Sequence, residues 1–169
     1  MGKIIFITGG QRSGKSSYAM QRAMELSENP VYLATARIWD DDFKNRVQKH
    51  KNDRSTSWVN IEEQKEISKI SLNGKVVVLD CITLWLTNYF TDNHFDMDKS
   101  LEQAKKEWDK FIENDFTLIV ISNEIGMSLH ADTEAGRKFT DLQGWMNQYI
   151  AKFADEVIFM VSGIPMKVK

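Results

Sequence analysis

Apolar residues fall along this chain in two rhythms. Short, nearly continuous runs rich in valine, isoleucine and leucine occur at Lys3–Thr8, Val31–Ala34, Val76–Asp80, Leu118–Ser122 and Glu156–Val161. Runs of that length without alternation are expected of strands covered on both faces, as in a parallel sheet. Between them lie longer stretches in which apolar residues recur every three or four positions. These predict helices at Lys15–Leu26, Asp40–Asp53, Ile61–Ile70, Met97–Asn114 and Asp132–Phe153. Leu101, Ala104, Trp108 and Phe111-Ile112 form the core-facing stripe of one; Phe139, Leu142, Met146, Tyr149-Ile150 and Phe153 form that of the last. The pattern also allows a short strand near Trp58–Ile61. Phe90 to Asp98 carries neither rhythm and reads as a surface loop. Strands alternating with helices imply an α/β protein with helices on both faces of a mainly parallel sheet.

Directly behind the first strand stands Gly9-Gly10-Gln11-Arg12-Ser13-Gly14-Lys15-Ser16. This is the spacing G-x-x-x-x-G-K-[ST], a loop whose backbone N–H groups surround the phosphates of a nucleotide. Glycine lets the backbone turn tightly and approach an anion with no Cβ between them. Lys15 can reach the β- and γ-phosphates, and the Ser16 hydroxyl can ligate Mg²⁺. The helix after the loop directs its positive end at the same anion. The strand before and the helix after are the context such a loop needs, so the expected fold is a three-layer, P-loop NTPase-like α/β domain spanning residues 1–169.

Composition narrows the picture. A net charge of −2, with no basic stripe, gives no general attraction for nucleic acid. One cysteine, Cys81, leaves no internal disulfide framework and no cysteine-rich metal site. No apolar run approaches the ~18 residues of a membrane span, and the start of the chain does not resemble a signal peptide. The expectation is a soluble, cytoplasmic protein.

Two further groups carry candidate chemistry. Asp80 closes the run Val76-Val77-Val78-Leu79, where a P-loop protein commonly keeps an acid for Mg²⁺, held directly or through water; the alternative is a polar residue that merely ends a buried strand. Cys81 beside it reads as a packing residue rather than a reactive thiol. In the segment from Asp40 to Arg54, the i, i+4 spacing sets Arg46, His50 and Arg54 on one face of a continuing helix. An imidazole among guanidinium groups can attack phosphorus and form a phosphoramidate, while the cations stabilise the charge. A solvated helix face gives the same pattern. Arg137 and Lys138 could meet a phosphate or a neighbouring subunit, or only water.

The loop resembles that of the bifunctional adenosylcobinamide kinase/adenosylcobinamide-phosphate guanylyltransferases of cobalamin biosynthesis, in which Arg and Ser precede the second glycine as Arg12 and Ser13 do here. Tyr32-Leu33-Ala34-Thr35-Ala36, Arg46-Val47-Gln48-x-His50-Lys51-x-x-Arg54, Trp58 with Glu62, Asp80-Cys81-Ile82-Thr83 and Thr87-Asn88 continue the resemblance in order. So do Asn123-Glu124-Ile125-Gly126-Met127, Asn147-Gln148, Ala154-Asp155-Glu156-Val157 and Ser162-Gly163-Ile164-Pro165. The resemblance implies a kinase that phosphorylates adenosylcobinamide with ATP or GTP. It also implies a transferase that passes GMP from GTP to adenosylcobinamide phosphate through a guanylylated histidine, matched here by His50. It further implies that Gly9 to Ser16 bind GTP, that Ala34, Thr35 and Ala36 lie along the nucleotide, and that Lys51, Asn52, Asp53, Arg54 and Glu62 complete the guanosine site. A carboxylate such as Glu62 can accept both N1–H and the N2 amino hydrogens of guanine, a donor pair adenine lacks. A homotrimer is implied as well. Two departures stand out: Lys49-His50 where some relatives have two histidines, and Ser55 where proline is frequent. The rival readings are a kinase for another small molecule and a nucleotide-gated module without turnover.

Overall fold

The computed structural model describes residues 2–38 and 57–169. The expected helix at Asp40–Asp53 lies outside them. Seven strands form one sheet: β1 (Ile4–Gly9), β2 (Val31–Ala34), β3 (Val59–Glu62), β4 (Val76–Asp80), β5 (Thr117–Asn123), β6 (Glu156–Val161) and β7 (Ile164–Lys167), in the order β3-β2-β4-β5-β1-β6-β7. All neighbours pair in parallel except β6 and β7, which form an antiparallel hairpin at the edge. Among the described residues four helices accompany them: α1 (Lys15–Leu26), α2 (Ile82–Asp92), α3 (Met97–Phe111) and α4 (Glu134–Phe153).

The strand rhythm has the expected cause. On β1, Ile4 and Phe6 join the cluster beneath α2, α3 and α4, whereas Ile5 and Ile7 join the cluster beneath α1. Strands β1, β2, β4 and β5 therefore carry apolar side chains at successive positions, because both of their faces are covered. Ala19 and Ala23 are the fully buried positions of α1; their small side chains let the helix lie close to the sheet, which matters because α1 carries the loop. On the other face Trp85, Trp108 and Phe111 are fully buried.

Three expectations differ from the structure. Ile61–Ile70 does not form a helix: its first two residues belong to β3, and only Ile67–Lys69 makes a single 3₁₀ turn. The Glu63 carboxylate accepts the N–H groups of Lys65 and Glu66, and Glu107 accepts that of Ser68, so side chains take the donors a helix would need. Phe90–Asp98 is not a surface loop. Phe90 is buried at the end of α2, a short corner turns through His94 and Phe95 with positive φ, and Asp96 caps α3 by accepting the Lys99 N–H at 2.9 Å. Phe153, placed on the core stripe of α4, is 38% exposed. Helix α2 and strand β7 were not expected. Ile82, Trp85, Leu86, Tyr89 and Phe90 do follow helical spacing, but the aromatic and β-branched residues among them have weak helix propensity.

The two large tryptophans offer a test. Trp85 Nε1 donates to the Lys65 carbonyl at 3.0 Å, whereas buried Trp108 Nε1 has no partner among the described residues. Trp85→Phe is expected to cost about 1 kcal/mol more than Trp108→Phe, because only the former breaks a formed hydrogen bond. Urea titration of the two variants measures the difference; equal or reversed losses contradict it.

Candidate active site

Because β1, β4 and β5 run in parallel, their carboxyl ends share one edge of the sheet, where ligands of such sheets bind. At that edge the backbone leaves Gly9 and turns through Gly10 to Gly14 before entering α1. A Cβ on Gly9 would lie 2.7 Å from the Met160 carbonyl oxygen, and Gly14 takes φ 95° at the helix N-cap. Neither position accepts an ordinary side chain without strain. The loop is tied on two sides: the Glu124 N–H donates to the Gly9 carbonyl at 2.9 Å, and the Gly163 N–H to that of Ser13 at 2.9 Å. No side chain caps α1 and no acid occupies its first turn, so its N-terminal dipole is left for an external anion.

Lys15 is the buried cation of this site. Its Nζ donates to the Gly10 carbonyl at 2.5 Å and lies 3.5 Å from Ser13 Oγ. Burial lowers the pKa of its ammonium group, with Asp80 partly opposing that shift. Ser16 Oγ donates to Asp80 Oδ2 at 3.2 Å, and the Tyr32 hydroxyl donates to the same oxygen. The residues from Arg12 to Ser17, with Asp80, Cys81, Ile121 and Asn123, line a cavity of about 340 Å³. Cys81 is buried, and desolvation pushes its thiol up to about 12, as a packing residue requires.

The other predicted residues are distributed along the edge. In register, Glu62 pairs with Ala34 and Ala34 with Asp80, which separates Glu62 from Asp80 by two strand spacings, about 10 Å. Glu62 lines a different and larger cleft of about 700 Å³, between the end of β3 and α3, whose lining shares no residue with the loop cavity. Thr35 is fully buried and braces the ends of β2 and β4: its Oγ1 donates to the Cys81 carbonyl at 2.8 Å and accepts the Cys81 N–H at 3.0 Å. Asn88 holds the Thr35 carbonyl at 2.8 Å. Ala36 follows at the chain's exit from the sheet. Just beyond it, Arg37 makes a two-pronged contact with Asp92 at 2.8 and 3.1 Å, and Lys65 adds a third contact at 3.0 Å. These hydrogen bonds, that from Arg37 foremost, hold the Asp92 carboxyl well below the usual carboxylate range. Arg46, His50, Lys51, Asn52, Asp53 and Arg54 lie outside the described residues. Arg137 donates to the Ala131 and Asp132 carbonyls at 3.2 and 3.0 Å, and Lys138 pairs with Glu134 at 2.7 Å.

Tyr32 and Asn123 are neighbours of the site to which sequence reasoning gave no role. Asn123 had a legible signal: like Asp80, it is a polar residue that ends an apolar strand run. Tyr32 stood in a segment that carries the resemblance, but by composition an aromatic residue in a buried strand looks like core.

Residues 5–168 match the family described as cobinamide kinase / cobinamide phosphate guanyltransferase. The chain belongs to that family. It is 32% identical to the bifunctional adenosylcobalamin biosynthesis protein CobU of Escherichia coli (strain K12), over 98% of this chain and 99% of that protein. It is also 32% identical to the bifunctional adenosylcobalamin biosynthesis protein CobP of Pseudomonas aeruginosa, over 96% of this chain and 95% of the other. The CobU of Salmonella typhimurium is 29% identical over 98% and 99% of the two chains. Among solved structures, the flagellar accessory protein FlaH from Methanocaldococcus jannaschii superposes with a TM-score of 0.48 at 13% identity, covering 99% of this chain and 78% of that one. No helix among the described residues of this family member is long and apolar enough to cross a membrane.

The state of Cys81 can be tested by its reactivity. An unfolded thiol ionises near its ordinary 9.0, whereas the folded one stays protonated to about 12. Its contribution to stability is therefore complete below pH 9 and is lost as the pH climbs toward 12. At pH 8 the folded protein is expected to resist a thiol reagent such as dithionitrobenzoate and to react with one equivalent on unfolding in urea. Rapid reaction of the folded protein contradicts a buried, neutral thiol.

Proposed function

We propose that this family member phosphorylates the terminal hydroxyl of adenosylcobinamide with ATP or GTP and then transfers GMP from GTP to the resulting phosphate. One catalytic domain performs both steps, the products being adenosylcobinamide-GDP and pyrophosphate. The observation that carries this reading is the convergence of Lys15, Ser16 and Asp80 on one cavity at the mouth of the glycine loop, with Ser16 Oγ and Asp80 Oδ2 3.2 Å apart.

In the kinase step the loop N–H groups, the α1 N-terminus and Lys15 bind the phosphates. Lys15 exchanges the Gly10 carbonyl for phosphate oxygens, a trade favoured because a buried ammonium gains an anionic partner. The residues fit a magnesium ion. A hydroxyl and a carboxylate are hard oxygen donors, and no group of three His, Cys, Asp or Glu side chains among the described residues forms a complete metal cage. Mg²⁺ suits such a site, since it keeps several waters and takes its remaining ligands from phosphate. When bound it neutralises charge on the β- and γ-phosphates. Ser16 and Asp80 would hold it, and Tyr32 would keep the Asp80 carboxylate oriented.

In the transferase step, neutral His50 attacks the α-phosphorus of GTP. A P–N bond forms, the P–O bond to pyrophosphate breaks, and the leaving charge is taken by Lys15 and the loop. The phosphate oxygen of adenosylcobinamide phosphate then attacks the same phosphorus, and breaking the P–N bond frees His50. Arg46 and Arg54 offset the crowded charge. Lys51, Asn52, Asp53 and Arg54 bind the nucleotide, and Glu62 accepts the guanine N–H donors. Ala34 and Ala36 flank the nucleotide, and Thr35 holds the strand ends that carry them. A homotrimer in the cytoplasm completes the proposal.

Incubation with α-labelled GTP is expected to leave label on the protein that survives base and is lost in acid, as a phosphoramidate is. His50→Ala should remove it while leaving phosphorylation of adenosylcobinamide in place. Lys15→Ala should reduce phosphorylation roughly 100-fold or more, the scale on which loss of one charge-stabilising group slows a transfer. Unlabelled wild-type protein that still phosphorylates adenosylcobinamide would instead indicate a kinase without the transfer step.

A further inference from the structure

Asn123 occupies the position between the two halves of the loop cavity. It ends β5, the strand inserted between β4, which ends in Asp80, and β1, which ends in the loop. In register it pairs with Gly9, the first residue of the loop, and it lines the cavity with Lys15 and Asp80. Ile119 and Ile121, four and two residues before it, belong to the cluster on the α1 face, so strand alternation sends Asn123 to the face on which the loop lies.

The residue is held by side chains of α2 and α4. Its backbone N–H donates to Thr83 Oγ1 at 3.1 Å, and its side-chain Nδ2 donates to the same oxygen at 3.1 Å. Its carbonyl accepts from Asn147 Nδ2 at 3.2 Å. Asn147 is in turn fixed by Ser122 at 2.6 Å and Gln143 at 2.9 Å, a polar cluster buried on the opposite face. A buried polar cluster is costly unless it is satisfied, and its effect here is to fix one residue at the cavity. The carboxamide can meet Thr83 with either end. With Oδ1 toward Thr83, the hydroxyl donates its own proton to that oxygen and still accepts the Asn123 N–H. Both donors of Nδ2 then face the cavity, beside a buried lysine and a helix N-terminus, where an anion belongs.

We propose that the Asn123 carboxamide is a further catalytic residue that donates a hydrogen bond to the terminal phosphate of the bound nucleoside triphosphate. Thr83 and Asn147 are its positioning residues. The contact lets the site distinguish a triphosphate from a diphosphate, and it holds the phosphoryl group that is transferred between Lys15 and Asp80. The inference rests on the proposed nucleotide function of the loop.

Calorimetric titration of the whole protein with GTP and with GDP, each with Mg²⁺, tests it. Asn123→Ala and the shape-conserving Asn123→Leu are expected to weaken GTP binding roughly tenfold or more, the worth of one hydrogen bond to a charged group, and to leave GDP binding within about twofold. GDP binding in the same preparations reports an intact site. Equal losses for both nucleotides, or no loss for GTP, overturn the inference while leaving the nucleotide function standing. A wild-type protein that binds neither nucleotide overturns both.

Discussion

Parallel pairing of β1, β5 and β4 is the constraint on which the candidate site depends. Parallel strands begin at one edge of a sheet and end at the other, so Gly9, Asn123 and Asp80 emerge together although 114 and 43 positions separate Asn123 from the other two in the chain. The pairing holds because both faces of these strands are buried, α1 on one side and α2, α3 and α4 on the other. A slip of one residue in any of the three strands would turn its apolar set to the wrong face and carry its terminal polar residue away from the cavity. The same hydrophobic burial that stabilises the fold therefore sets the geometry of the site.

Against that frame the site itself is an electrostatic cost. Lys15 is buried with a carbonyl and a hydroxyl as its hydrogen-bond partners, its charged form is disfavoured by burial, and the first turn of α1 is left without a cap. A triphosphate would supply what each lacks, an anion for the ammonium and acceptors for the helix N–H groups. Interactions already satisfied internally leave less to gain from a ligand, and these groups keep capacity for one. Polar groups just behind the cavity are, by contrast, well paired: Thr35 to Cys81, Asn88 to Thr35, Asn147 to Asn123.

The sequence disclosed those parts in which one physical rule dominates. Strands β2, β4 and β6 and helix α1 were legible at their full extent, because double-sided burial and the glycine-loop spacing leave little choice. The position of Asp80 beside the glycine loop was one of two readings open to an acid that ends β4. Helix α2 was hidden, because its propensities disagree with its spacing and tertiary burial decides the outcome. Ile61–Ile70 misled for the opposite reason: local helix formers occupy it, but Glu63 and Glu107 take the backbone donors. Asn123 was legible as a polar residue ending an apolar run, but its place between β1 and β4, like the contact of Tyr32 with Asp80, depends on which strands become neighbours, which no local pattern encodes.

We propose that the loop cavity, rather than the larger cleft beside Glu62, receives the phosphates of the nucleotide. A crystal structure of the protein with Mg²⁺ and a non-hydrolysable GTP analogue measures this most directly. The β- and γ-phosphates are expected within hydrogen-bond reach of Lys15 Nζ and the N–H groups of the loop, with Ser16 and Asp80 at the cation. Phosphates seated in the cleft between β3 and α3, with Lys15 still on the Gly10 carbonyl, would contradict it.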